Sequence, residues 1–102
     1  MDKKQIFILG GYGKVGASTA KELYDSTDMP IVIAGRNVDQ AKNFAALFND
    51  RVLPCYADAF DRESLVKAMA TAQVVVNCSG PSSLINEVVA EAALKARCHY
   101  VD

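Results

Sequence analysis

Short apolar runs rich in β-branched residues alternate along this chain with longer segments whose apolar positions recur at helical spacing. The runs are Gln5–Leu9, Pro30–Ala34, Arg51–Tyr56, Ala72–Asn77 and Cys98–Val101. Their length, without strict alternation, predicts strands covered on both faces of a sheet. The segments between them are built from Ala, Leu, Lys and Glu, all good helix formers. Helices are predicted over Lys14–Ser26, Val38–Asn49, Arg62–Thr71 and Ser82–Ala96. The expected inward faces are Val15, Thr19, Ala20 and Leu23, then Ala41, Phe44, Ala45 and Phe48, then Leu65, Val66 and Met69, then Ile85, Val88, Val89 and Ala92. Asn37 and Asp61 stand where a side chain can cap the second and third helices. Pro81-Ser82-Ser83 stops the fourth strand before the fourth helix.

Strands and helices therefore alternate from the first strand to the fifth. With right-handed crossovers this gives an α/β fold, a Rossmann-type parallel sheet in the order 3-2-1-4-5 with helices on both faces. Residues 1–102 make one domain. Such sheets normally continue past a fifth strand, so the chain reads as the N-terminal part of a longer enzyme, cut soon after that strand.

The first strand runs into Gly10-Gly11-Tyr12-Gly13-Lys14-Val15-Gly16, and a helical pattern follows at once. Gly11, Gly13 and Gly16 satisfy G-x-G-x-x-G, and Gly10, Gly13 and Gly16 satisfy G-x-x-G-x-x-G. The three glycines of such a motif serve a tight turn, a close backbone approach to a pyrophosphate, and close packing of helix on strand. Free N–H groups and the positive end of the helix dipole then hold phosphate. The pattern gains its weight from lying between a strand and a helix at the start of a repeating βα unit. A P-loop is excluded, because that motif needs Ser or Thr after the lysine and a glycine five places before Gly13; Val15 and Ile8 stand there.

The end of the second strand selects the dinucleotide. NAD sites place an acid there for the ribose hydroxyls, about 20 residues beyond the glycines. Here the residues are Ala34-Gly35-Arg36-Asn37, with Gly35 in the acid's place. A guanidinium at Arg36 can pair with a 2′-phosphate that an acid would repel. The expected cofactor is NADP, with NAD as the alternative. Asp58 and Ala59 leave the third strand, where the carboxylate can accept a bond from the adenine amino group. Asn77, Cys78, Ser79 and Gly80 leave the fourth strand at the topological switch point, where the nicotinamide side is expected. Neither Cys78 nor the single histidine, His99, has a neighbour in sequence that would make it a catalyst.

Composition removes several classes. The 11 basic and 12 acidic residues leave a net charge of −1, with no basic stripe for nucleic acid. No apolar run nears a membrane span, and Ile6–Leu9 is too short for a signal peptide. Three widely spaced cysteines form no metal pattern and read as reduced core thiols of a cytoplasmic protein.

The segments L-G-G-Y-G-K-V-G, A-G-R-N, D-A-F-D-R-E-S-L, V-V-V-N-C-S-G-P and the closing His99-Tyr100-Val101-Asp102 together resemble the N-terminal domain of the saccharopine dehydrogenase-like oxidoreductases. The combination of Asn77–Pro81 with the closing tetrapeptide is its more specific part; extended short-chain dehydrogenases share the glycine turn and the Asp58–Leu65 segment. The resemblance implies that Gly10, Gly13, Gly16, Arg36, Asp58 and the loop from Asn77 contact NAD(P). It also implies a second domain that binds a small-molecule substrate and completes hydride transfer. No tyrosine is followed by lysine at the Y-x-x-x-K spacing of the short-chain enzymes. The alternative function is a non-catalytic dinucleotide-binding sensor or regulator. An unpaired fifth strand would pair with further chain or with a neighbouring subunit, which permits a homo-oligomer.

Overall fold

The computed structural model describes residues 5–10, 12–79 and 83–101, and the side chains of all of these except 83–85. Five parallel strands form one sheet in the order β3-β2-β1-β4-β5. They are β1 (Gln5–Leu9), β2 (Ile31–Gly35), β3 (Val52–Tyr56), β4 (Ala72–Asn77) and β5 (His99–Val101). The connecting helices are α1 (Lys14–Ser26), α2 (Val38–Ala45), α3 (Arg62–Ala68) and α4 (Ser83–Lys95). The predicted order is the observed one. Gly11, Gly80, Pro81, Ser82 and Asp102, and the side chain of Ile85, lie outside the described residues.

Alternate side chains of the central strands enter two separate cores. Phe7 and Leu9 of β1, with Val32 and Ala34 of β2, pack with Leu65, Met69, Val89, Ala92 and Ala93 under α3 and α4. Ile6 and Ile8, with Ile31 and Ile33, pack on the other face with Ala20 of α1 and Ala41 and Ala45 of α2. A strand buried on both faces has no polar side, which is why its sequence lacks alternation.

The helices differ from expectation in detail. In α1 the residues turned inward are Gly16 and Ala20, with Leu23 packed beside them. Val15 precedes that stripe by one residue, about 100° around the helix, and is 69% exposed. α2 ends at Ala45 instead of Asn49, because Leu47 and Phe48 donate to Phe44 and Ala45, tightening the helix into three-residue turns. α3 ends at Ala68 as Ala70 donates to Lys67 in the same way. Asn37 and Asp61 cap as expected, accepting from the N–H groups of Gln40 and Ser64. β5 starts at His99, one residue late, because Arg97 takes a left-handed conformation with φ 61° and the N–H of Cys98 donates back to Ala93 to close α4.

The cysteines are free and only partly buried. Cys55 lies in β3, whereas Cys78 and Cys98 flank β4 and β5. Burial pushes the Cys55 thiol up, so it is protonated at neutral pH. In β3 the odd-numbered residues bond to β2, as the Arg51 carbonyl and the Ala57 N–H show. Pro54 therefore faces away from its neighbour, and the ladder loses no donor there.

One side chain ties two connections together. The guanidinium of Arg51 donates to the carbonyls of Thr27 at 2.6 Å, Tyr24 at 2.7 Å and Met29 at 3.3 Å. It also lies 4.0 Å from the centre of the Tyr24 ring, which packs on Phe48. These carbonyls lie at and just beyond the C-terminal end of α1, where a cation is favoured. Replacing Arg51 with Met should keep much of the packing but leave those carbonyls without their donor. We expect a loss of about 2–3 kcal/mol in urea unfolding.

Candidate functional site

At the carboxyl ends of the strands, segments that follow four of them line a cleft of about 260 Å³. Its wall is made by Leu9, Gly10, Tyr12 and Gly13 after β1, by Gly35 and Arg36 at the end of β2, by Ala57–Phe60 after β3, and by Cys78 and Ser79 after β4. A parallel sheet sends β1's crossover to one face and β4's to the other, which opens this gap between their ends.

The glycine turn is shaped by contact with the β4 loop. Gly10 has φ +76°, and a Cβ there would lie 2.9 Å from both the Cys78 carbonyl oxygen and the Ser79 Cα. Its N–H donates to Ala34, and its carbonyl accepts from Gly13 at 3.1 Å. Gly13 is the N-cap of α1, and no side chain caps that end. The first N–H groups of α1 are thus left to whatever occupies the cleft, as an anion requires. Gly16 is buried in α1, while Lys14 and Val15 are exposed on its first turn; none of these three lines the cleft.

Arg36 is exposed at the cleft's edge, and no ion pair engages it among the described residues. It also borders a shallow depression shared by Tyr12, Asn37 and Val38–Gln40. Asn37 lines only this second depression, where its side chain serves as the cap of α2. Asp58 and Ala59 line the main cleft; one Asp58 carboxylate oxygen accepts from the N–H of Phe60 at 2.9 Å and braces the loop.

Asn77 takes a different place from its neighbours. It is buried, at 8% exposure, behind the cleft. Its amide nitrogen donates to Asn86 Oδ1 at 2.9 Å and to the Tyr100 hydroxyl at 3.1 Å. Its oxygen accepts from the N–H of Ser79 at 3.0 Å and from the Ser79 hydroxyl. Asn77 thus pins the loop that carries Cys78 and Ser79 to α4 and β5, without lining the cleft itself.

The cleft also holds residues outside the expected cofactor contacts. Phe60 stands 67% exposed there, two residues after Asp58, and Ala57 and Leu9 complete the wall. An aromatic side chain in a strand-end loop is the signal by which Phe60 could have been found. A separate groove of about 330 Å³ lies between α3 and α4, beside the Arg62–Glu91 ion pair, and no glycine-turn or strand-end residue lines it. Among the described residues no group of His, Cys, Asp and Glu could hold a metal. No described helix is long and apolar enough to cross a membrane.

The family model of the saccharopine dehydrogenase NADP binding domain matches residues 6–102. The chain is 33% identical over 84 residues to a glutamyl-tRNA reductase of Carboxydothermus hydrogenoformans, covering 82% of this chain and 17% of that protein. Among solved structures, the saccharopine dehydrogenase (L-Glu forming) of Saccharomyces cerevisiae superposes with a TM-score of 0.80 at 21% identity, over 95% of this chain and 21% of that one. The triphenylmethane reductase of Citrobacter sp., solved with NADP(H), superposes with a TM-score of 0.76 at 26% identity, over 91% and 34% of the two chains. This chain therefore spans at most about a third of each of these proteins.

The two glycines of the turn should respond differently to a methyl group. Gly10→Ala meets both a left-handed backbone and the β4 loop, and is expected to destabilise by about 2–3 kcal/mol. Gly13→Ala, whose nearest obstacle is 3.4 Å away, should lose under about 1 kcal/mol. Paired thermal melts of the two variants check this order.

Proposed function

The chain belongs to the family of saccharopine dehydrogenase NADP binding domains, and from that premise we propose that it is the cofactor-holding part of an NADP-dependent oxidoreductase. The observation that carries this reading is the cleft itself. The glycine turn, Arg36 and the loops after β3 and β4 face one gap at the strand ends, where open α/β sheets bind dinucleotides.

The residues divide the cofactor among them. Gly10, Gly13 and the open first turn of α1 take the pyrophosphate, with Gly11 beside them and Gly16 keeping α1 close to the sheet. Arg36 pairs with the 2′-phosphate, and the depression along Asn37–Gln40 gives that phosphate room. Asp58, Ala59 and Phe60 border the adenine, with Phe60 offering a ring face to stack on. Cys78 and Ser79, held by Asn77 and continued by Gly80, border the ribose and nicotinamide. Lys14 and Val15, on the exposed first turn, flank the phosphates. When bound, the nicotinamide supplies hydride chemistry, and these residues supply position and electrostatics.

The small-molecule substrate and the groups that move protons belong to a second domain, in keeping with the fraction of its relatives that this chain spans. We place the protein in the cytoplasm, with its thiols reduced, and read the open edge of β5 as a surface available to a second subunit.

Calorimetric titration of the chain with NADPH and NADH tests the assignment. NADPH should bind at least about ten-fold more tightly, a difference that one phosphate–guanidinium pair readily supplies. Arg36→Asp should reverse the order. Tighter binding of NADH by the unaltered chain would defeat the proposal.

A further inference from the structure

Gly35 occupies the place of an NAD-site acid, but its own backbone does not require glycine. It lies in an extended strand, and positive φ is confined to Gly10 and Arg97 among the described residues. What excludes a side chain is Tyr12. The three atoms nearest to a Cβ built on Gly35 are the hydroxyl oxygen, Cε2 and Cζ of the Tyr12 ring, all well inside van der Waals contact. The ring lies across the end of β2, and a larger residue at 35 would have to swing it aside, at the cost of its bond to Asn37. Its hydroxyl accepts the N–H of Asn37 at 3.2 Å, so it also holds the turn from which Arg36 projects. Tyr12 lines both the main cleft and the depression beyond Arg36.

We infer that Tyr12 is a specificity-determining residue: it bars an acid from position 35 and steadies the Arg36–Asn37 turn for a 2′-phosphate. This rests on the reading of the cleft as an NADP site. Cofactor selection here then depends on the Tyr12–Gly35 pair as well as on Arg36. Exchanging Gly35 alone for an acid should therefore fail to create an NAD site, because the tyrosine already occupies that ground.

A double-mutant cycle tests the pair by calorimetry with NADPH and NADH. Gly35→Ala should weaken NADPH binding by about ten-fold when Tyr12 is present, and by less than about two-fold in a Tyr12→Ala background. Gly35→Asp alone should gain no NADH affinity, whereas Tyr12→Ala with Gly35→Asp should gain about ten-fold over Tyr12→Ala. Equal effects of the Gly35 substitutions in both backgrounds, while the unaltered chain still binds NADPH, overturn the inference alone. An unaltered chain that binds neither cofactor overturns the NADP reading and this inference with it. Should Gly35→Ala not fold, the double variant decides: a folded Tyr12→Ala/Gly35→Ala chain supports the steric lock, and an unfolded one refutes it. Hydrogen exchange gives an independent reading, since the Asn37 amide should lose protection in Tyr12→Phe; unchanged protection counts against the hydroxyl's role.

Discussion

The central constraint is that β1 is enclosed on every side. It bonds to β2 along one edge and β4 along the other, and both of its faces are buried under helices. Its chain can leave only past its own carboxyl end, in the narrow gap beside the β4 loop. Gly10 makes that exit possible by passing within 2.9 Å, at its missing Cβ, of the Cys78 carbonyl oxygen and the Ser79 Cα. A methyl group would push these segments apart. The turn into α1, at the mouth of the cleft, depends on this passage.

Around that exit the loops hold one another. Asn77 fastens the β4 loop to Asn86 and Tyr100 behind it, so Gly10 packs against a fixed surface. On the other flank, Tyr12 reaches from the glycine turn to Gly35 and Asn37, linking the β1 exit to that of β2. Asp58 braces its own loop through Phe60. Loop shapes set by side-chain bonds before a ligand arrives reduce the ordering that binding would otherwise require.

The fold was legible because its signals are local. Continuous apolar runs, helical spacing and capping residues such as Asn37 and Asp61 each act within a few positions. The glycine turn was legible for the same reason. Other features depend on contacts between distant parts of the chain. Asn77 has the residue type of a ligand-facing loop, yet partners 9 and 23 residues away turn it inward. In the sequence Gly35 stands only as an absent acid; the Tyr12 ring that lies against it is one that no spacing rule connects to it. Val15 fits a helical pattern but lies just off the stripe of Gly16 and Ala20 that α1 buries.

Pro54 gives the sheet a direction. At the β3 margin its ring faces outward, so a neighbour aligning there would find one hydrogen-bond donor missing from a five-residue strand. At the opposite margin no proline interrupts His99–Val101. The two borders are chemically unequal, and backbone pairing can extend this sheet more readily on the side of β5 than on the side of β3. Among the described strands that difference comes from one imino acid, on the far side of the sheet from β5.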